Sequence, residues 1–256
     1  MNALLALLPD LHLPDMSPGQ LVATALIFTW SGFVRSGLGF GGAALALPFM
    51  LLVYDQPVFW IPVIGIQLLF FTGLTLSNRL HNVDWAYLFR SGRLILPAAF
   101  AGVFGLLNLP NGVLLVCIYV ITLVYAVLWA LDRAISSQHA WVDNLLLVLG
   151  GYVSGSSLTG APLMIAVFMR HVPLGQLRDT LFVLWFVIVA FKLTTLAVLG
   201  VPLQLAAAAL LLPVAAIGHV VGLKCHDYLL RRERLCRRLL GCLLVVVSLA
   251  GLWELR

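Results

Sequence analysis

The amino-acid sequence predicts an all-α integral membrane protein, and three observations support this. Of its 256 residues, 62% are hydrophobic and only 10% are charged, whereas a soluble domain carries about 25% charged residues. Long apolar segments follow one another along the chain, and the first half resembles the second. Because about 20 apolar residues in a helix span a bilayer, we expect a single membrane domain over 1–256 with no room for a soluble module.

Most of the apolar segments have the length of one spanning helix. In order, the segments run roughly 20–54, 58–77, 86–107, 112–131, 141–169, 177–199, 203–223 and 239–253. The first and the fifth are too long for one crossing, and each contains small or helix-breaking residues in its middle. We expect the first to break at 35–42 and the fifth at 154–162, where Thr159 would cap and Pro162 would open the following helix.

The two broken segments also resemble each other. Gly32-Phe-Val-Arg-Ser-Gly-Leu-Gly-Phe-Gly-Gly42 aligns without a gap on Gly151-Tyr-Val-Ser-Gly-Ser-Ser-Leu-Thr-Gly-Ala161. The sequence therefore predicts two repeats, 20–131 and 141–255, each with one broken segment followed by three plain helices.

The positive-inside rule decides between two topologies. If each broken segment crossed once, Arg79, Arg90, Arg93 and Arg133 would lie outside. If each is instead a re-entrant hairpin, every half crosses three times, the halves are inverted, and all basic loops lie inside. We therefore predict hairpins, with the basic loop 224–238 in the cytoplasm and both termini in the periplasm of a bacterial inner membrane.

The two breaks are the predicted substrate site. Non-helical backbone at membrane depth is tolerated where it lines a cavity, and paired breaks in inverted halves mark the binding site of many transporters. A helix N-terminus offers unpaired N–H groups and partial positive charge to an anion. Hydroxyl groups and two cations outside the loops would strengthen this attraction for an anion. The candidate residues are Arg35, Ser36, Gly39, Gly41, Gly42, Ser156, Ser157, Thr159, Gly160 and Lys192.

Each candidate also has a structural interpretation. Lys192 could extend to the membrane interface, Arg35 could reach a surface, and the glycines could serve close helix packing. His219, within an apolar run, fits a packing histidine. Acidic residues are absent from the middles of the plain segments, so no carboxylate is expected to pair with the two cations.

The sequence offers little for other classes of function. No hydrolase or metalloprotease motif is present, so neither an enzyme nor a metal or other cofactor is expected. The cysteines lack the spacing of a metal site. Nucleic acid is not an expected partner, because six of the fifteen Lys and Arg residues lie in one stretch, 224–238, which the sequence predicts to be a cytoplasmic loop.

The chain resembles the sulfite exporter TauE/SafE family. The resemblance rests on Gly32–Gly42 with Pro48, on the weaker copy Gly151–Pro162, and on Asn82-Val-Asp-Trp85. It implies transport of a small sulfur-containing anion such as sulfite or an organosulfonate. Family members usually have a small residue in place of Arg35 and a glycine-rich second break, which bears on the particular substrate.

The sequence and the resemblance together predict a secondary transporter whose site lies between the hairpin tips near the bilayer midplane. The expected partners are a small anion and the lipid bilayer, with a homo-oligomer and a coupling ion, proton or sodium, left open. The alternatives are an anion channel and a membrane assembly subunit that transports nothing.

Overall fold

The computed structural model describes residues 16–38, 42–133 and 139–256, and within these ranges the chain is helical without any strand. The helices are α1 (Pro18–Leu38), α2 (Gly42–Val53), α3 (Pro57–Leu76), α4 (Trp85–Asn108), α5 (Asn111–Ala130), α6 (Ala140–Ser157), α7 (Ala161–His171), α8 (Leu174–Val198), α9 (Leu205–Arg231) and α10 (Glu233–Glu254). The all-α class is confirmed.

Six helices of the described residues are long and apolar enough to span a membrane: α3, α4, α5, α8, α9 and α10. They correspond to the six unbroken segments of the sequence. Large apolar side chains remain exposed on their outer faces, for example Val198 at 80% and Phe89 at 67%. Exposure on this scale suits lipid rather than water, because soluble proteins rarely present large apolar patches.

Helices α1 and α2 form an antiparallel hairpin. At its open end, Gln20 Nε2 donates a hydrogen bond to the Val53 carbonyl oxygen at 2.8 Å. Toward its tip, Ser31 Oγ donates to the Gly42 carbonyl oxygen at 3.4 Å, across 11 residues of sequence. A continuous helix would separate such residues by about 16 Å. The chain therefore folds back after α1, as the sequence predicts, and Gly39 and Gly41 lie outside the described residues.

Helices α6 and α7 form a second antiparallel hairpin. Its open end is held by Asp143, which accepts from Arg170 Nη1 at 2.7 Å and pairs with His171 Nε2 at 2.9 Å. At the tip, Leu158 adopts the left-handed conformation with φ 62°, and Gly160 is the N-cap of α7. The predicted cap at Thr159 is wrong, because its hydroxyl instead hydrogen-bonds Ser157 Oγ at 2.6 Å.

The two hairpins open toward opposite ends of the molecule. The first opens at the end where Asn111 Nδ2 donates to the Asp55 carbonyl oxygen at 2.8 Å; we call this the Asp55 end. The second opens where Tyr87 stacks on His171 with centroids 5.2 Å apart. Asn82, in the turn before α4, lies at this same end, the Asn82 end. Helix α3, with 20 residues, separates the ends by about 30 Å.

Each hairpin packs against a helix of the other half through glycine. Helix α1 crosses α9, and α6 crosses α4, at the glycines Gly32, Gly218, Gly222, Gly102, Gly151 and Gly155. A Cβ on Gly218 would fall onto the Thr29 carbonyl oxygen, and one on Gly155 onto that of Ala99. Such close backbone approach is how small residues join membrane helices, and it brings the two hairpin tips together. The inverted symmetry of the repeats 20–131 and 141–255 stays a prediction.

The basic stretch 224–238 is not the loop that the sequence suggested. Helix α9 continues to Arg231, and α10 begins at Glu233, so the stretch is helical on both sides of Arg232. Likewise Arg170 and Arg178, expected in a loop, lie in α7 and α8. The helices extend beyond their apolar parts because arginine and lysine have good helix propensity and can be solvated at helix ends.

Candidate functional site

A cavity of about 40 Å³ lies between the two hairpin tips. Its lining comes from both hairpins and from α3 and α8, namely Arg35, Gly42, Ala43, Ala44, Leu68, Thr72, Ser154, Leu158, Ala161, Phe182, Trp185, Ile188 and Val189. We call it the central cavity. One water needs about 10–15 Å³ on this scale, so there is room for about three water-sized groups.

The central cavity lies midway along the spanning helices. Leu68 comes from the middle of α3, which covers Pro57–Leu76, with Thr72 one turn farther along, and Trp185 and Val189 come from the middle of α8. Helices α2 and α7 both begin at this cavity, at Gly42 and Ala161. Their N-termini therefore bring unpaired N–H groups and partial positive charge to its wall.

Arg35 is the cation of the central cavity. Its Nε and Nη2 atoms are buried and have no hydrogen-bond partner among the described residues. Its Cζ atom lies 4.3 Å from the centroid of the Phe71 ring, which stabilises a cation only partly. The described residues that line the cavity include no carboxylate. A buried charge is stable only when it is paired, so the arrangement is suited to an added anion.

A second, smaller cavity of about 10 Å³ adjoins Arg35. It is lined by Arg35, Ser36, Phe71, Thr72, Thr75, Arg178, Phe182 and His219. Ser36 Oγ and His219 Nδ1 share a hydrogen bond, and the His219 and Phe71 rings lie 4.7 Å apart. His219, interpreted from the sequence as a packing residue, thus contacts a predicted site residue.

None of the predicted residues of the second break, Ser156, Ser157, Thr159 and Gly160, is among the residues that line the central cavity. Ser156 and Ser157 donate to the Val153 carbonyl oxygen at 3.2 and 3.0 Å. Gly160 packs against Gly150, where a Cβ would fall onto the carbonyl oxygen. The serine that does line the cavity is Ser154, whose buried Oγ has no partner among the described residues.

Lys192 is fully buried, with 0% of its surface exposed. Its Nζ atom has no hydrogen-bond partner within the described ranges. The interfacial position considered from the sequence is therefore wrong. Lys192 does not line the central cavity, but it follows Ile188 and Val189 by one turn on the same face of α8. Since helical side chains point toward the N-terminus of their helix, its amine extends back toward these two residues.

Sequence reasoning missed several residues that line the cavities, among them Thr72, Trp185, Arg178 and His219. The spacing of residues along α8 could have identified two of them, Arg178 and Trp185. Arg178, Phe182, Trp185, Val189 and Lys192 follow one another at helical spacing along α8, so they share one face. Thr72 and His219 carried no comparable signal, because only the helix crossings bring them to Arg35.

The fold and the site define a multi-pass, all-helical membrane protein built around two helical hairpins. The profile of the sulfite exporter TauE/SafE family matches residues 24–251, nearly the whole chain. The protein belongs to this family, which implies a membrane transporter of sulfite or related sulfur anions rather than an enzyme. No curated protein and no solved structure matches the chain.

Proposed function

We propose that this protein is a secondary transporter that exports sulfite and binds it in the central cavity. The observation that carries the proposal is the unpaired guanidinium of Arg35 on the wall of that cavity. A guanidinium can hold an oxyanion through two parallel hydrogen bonds. The N-termini of α2 and α7 and the hydroxyl of Ser154 would serve the remaining oxygens.

The size of the central cavity favours sulfite over a larger organosulfonate. Sulfite is one sulfur with three oxygens, and the cavity of about 40 Å³ accommodates about three water-sized groups. Taurine and sulfoacetate carry additional carbon and polar atoms, so the cavity would have to widen to admit them. The size of the cavity therefore supports a small anion such as sulfite over a larger organosulfonate.

Two alternatives make different predictions. An assembly subunit without transport would leave Arg35 and Lys192 both outside any cavity, whereas Arg35 lines two of them and Lys192 lines neither. An anion channel would conduct continuously across a bilayer, whereas a secondary transporter shows saturable exchange. Planar-bilayer recording with sulfite on both sides distinguishes these, and sustained single-channel currents would contradict the transporter proposal.

Anion binding to the purified protein tests the proposed site directly. Thermal stabilisation should be greatest with sulfite among sulfite, thiosulfate, sulfoacetate, taurine, acetate and chloride. Arg35→Gln should abolish the sulfite effect, while the matched control Arg93→Gln, which removes an exposed arginine of α4, should retain it. Equal stabilisation of wild type and Arg35→Gln by sulfite would contradict the site.

We also propose that the Asn82 end faces the cytoplasm of a bacterial inner membrane and that both termini are periplasmic. The proposal rests on the arginine-rich Asn82 end and the positive-inside rule. In a background without native cysteines, Gln56→Cys should react with an impermeant thiol reagent from the periplasm and Ser77→Cys should not. Labelling of both sites from one side would contradict this topology.

A further inference from the structure

Two arginines line the second cavity, and each has at least one buried nitrogen atom without a hydrogen-bond partner among the described residues. Arg178 lies near the start of α8, and its Nε atom is buried without a hydrogen-bond partner among the described residues. Its Cζ atom lies 5.3 Å from the Phe182 ring centroid. Arg35 contributes the second guanidinium, also with unpartnered nitrogen atoms. Helices α1 and α8 thus each place a guanidinium group on the lining of the second cavity.

The lining of this cavity carries no carboxylate among the described residues. Asp179, the next residue after Arg178, does not line it: its Oδ2 accepts from Asn82 Nδ2 at 2.7 Å, and its Oδ1 lies 3.8 Å from Arg79 Nη1. The charge of Asp179 still acts on Arg178 from outside the cavity. An anion bound between Arg35 and Arg178 would supply the hydrogen-bond partners that their buried nitrogen atoms lack among the described residues.

The second cavity lies on the Asn82 side of the central cavity. Thr75 is in the last turn of α3, at the Asn82 end, and Arg178 is in the early part of α8, which begins at that same end. Arg35, Thr72 and Phe182 line both cavities. An anion moving between the Asn82 end and the central cavity would therefore meet Arg178 first and Arg35 second.

We propose that Arg178 and Arg35 form a second anion subsite, which the transported anion occupies between the Asn82 end and the central cavity. The proposal rests on the proposed transport function. Arg35 is shared by the two subsites, so its guanidinium can keep one hydrogen bond to the anion while the anion moves past Thr72 and Phe182. The cavity now measures about 10 Å³, room for one water, so the subsite must widen to hold the anion.

Transport measured from each face tests this subsite. Sulfite uptake is measured in inside-out and right-side-out membrane vesicles from expressing cells, with empty-vector vesicles subtracted. Arg178→Gln should raise the KM from the Asn82 face about tenfold and leave the KM from the Asp55 face within about twofold. Arg178→Lys should restore most of the loss. The control Arg93→Gln removes an exposed charge of α4 and should change neither KM.

A second variant covers the case in which Arg178→Gln does not fold. Thr75→Asp places a carboxylate on the lining of the second cavity, where it would pair with the arginines and compete with sulfite. It too should raise the KM from the Asn82 face alone. Wild-type KM values in both Arg178→Gln and Thr75→Asp, or equal changes at both faces, would overturn the subsite while leaving the central site intact. No sulfite transport by the wild-type protein would overturn the proposed function itself, and the subsite with it.

Discussion

The two hairpins bring different chemistry to the central cavity. In each, the second arm begins at this cavity, at Gly42 in one hairpin and at Ala161 in the other. The first hairpin adds a cation, Arg35. The second adds the hydroxyl of Ser154 and no charged group among the described residues that line the cavity. Each hairpin thus supplies the start of a helix, whereas the charge comes from the first hairpin only.

In the proposed site, the two hairpins would contribute differently to anion binding. The helix N-termini of α2 and α7 would attract any anion weakly, because each carries about half an elementary charge. Arg35 would provide a full charge and fix the orientation of an oxyanion. The second tip would provide a neutral hydrogen bond. Substitutions in the first tip should therefore affect binding more than the corresponding ones in the second.

The largest expected effect is that of Arg35→Lys. Lysine keeps the charge but cannot form two parallel hydrogen bonds, so sulfite affinity should fall by about 10- to 150-fold. Isothermal calorimetry on the purified variant measures this. An affinity within a factor of two of wild type would show that the first tip acts only through its backbone.

The open ends of the hairpins should differ in stability. Asp143 is buried and paired with Arg170 and His171, whereas the first hairpin has the neutral bond from Gln20. Because Arg170 is partly exposed, we expect Asp143→Asn to destabilise by about 1–2 kcal/mol, or about 2–8 °C in Tm. Gln20→Leu should lower the Tm by less than half as much in the same thermal melts. A larger decrease in Tm for Gln20→Leu than for Asp143→Asn would contradict the expected difference between the two open ends.

Lys192→Met should weaken sulfite binding but raise the thermal stability of the empty protein. Sulfite affinity should fall by about three- to tenfold, because Lys192 lies one turn beyond the central cavity rather than in its wall. The empty protein should gain about 2–4 °C in Tm, since an unpaired buried cation is removed. Calorimetry and thermal melts without anion give the two values. Unchanged affinity with a raised Tm would exclude Lys192 from the site.

Ser154→Ala should have a smaller effect on binding, because it removes one neutral hydrogen bond. Sulfite affinity should fall by about two- to fivefold. The matched control is Ser157→Ala in the same tip, since Ser157 donates to the Val153 carbonyl oxygen and does not line the cavity. Calorimetry should find the control within a factor of two of wild type. Equal losses in both variants would indicate a packing effect of the tip.

The smallest effect is expected outside the membrane, at Asp132. A hydrogen bond from Arg237, aided by the charges of Arg237 and Arg238, lowers the pKa of this carboxyl below its ordinary 3.8. Its stabilising contribution is therefore present above about pH 3.8 and is lost as the pH falls through the lower folded value. Asp132→Asn should lower the Tm slightly at pH 7, and the difference from wild type should disappear in more acidic buffer. Sulfite affinity should stay unchanged, and a loss of affinity would link this loop to the tips.

The membrane class, the six plain spans and both helix breaks were predictable from the sequence. Each depends on local chemistry: apolar length defines a spanning helix, and glycine or proline marks where it ends. The prediction of Arg35 as a cavity residue also had a local basis, because a charge at a break needs a compensating partner. The cap at Thr159 failed because Gly160 takes that place in the turn and the Thr159 hydroxyl bonds Ser157.

The sequence by itself determined that this protein enters a membrane, where its helices break, and that a cation stands at one of the breaks. Only the tertiary structure decided which polar groups reach that cation. Ser154 lines the central cavity, whereas the hydroxyls of Ser156 and Ser157 donate to a carbonyl oxygen of their own helix. Arg178, expected in a loop, lies in α8 and lines the second cavity together with Arg35. These outcomes depend on how α1 crosses α9 and how α6 crosses α4. Such crossings follow from glycine contacts between residues far apart in the chain, which periodicity within one segment does not encode.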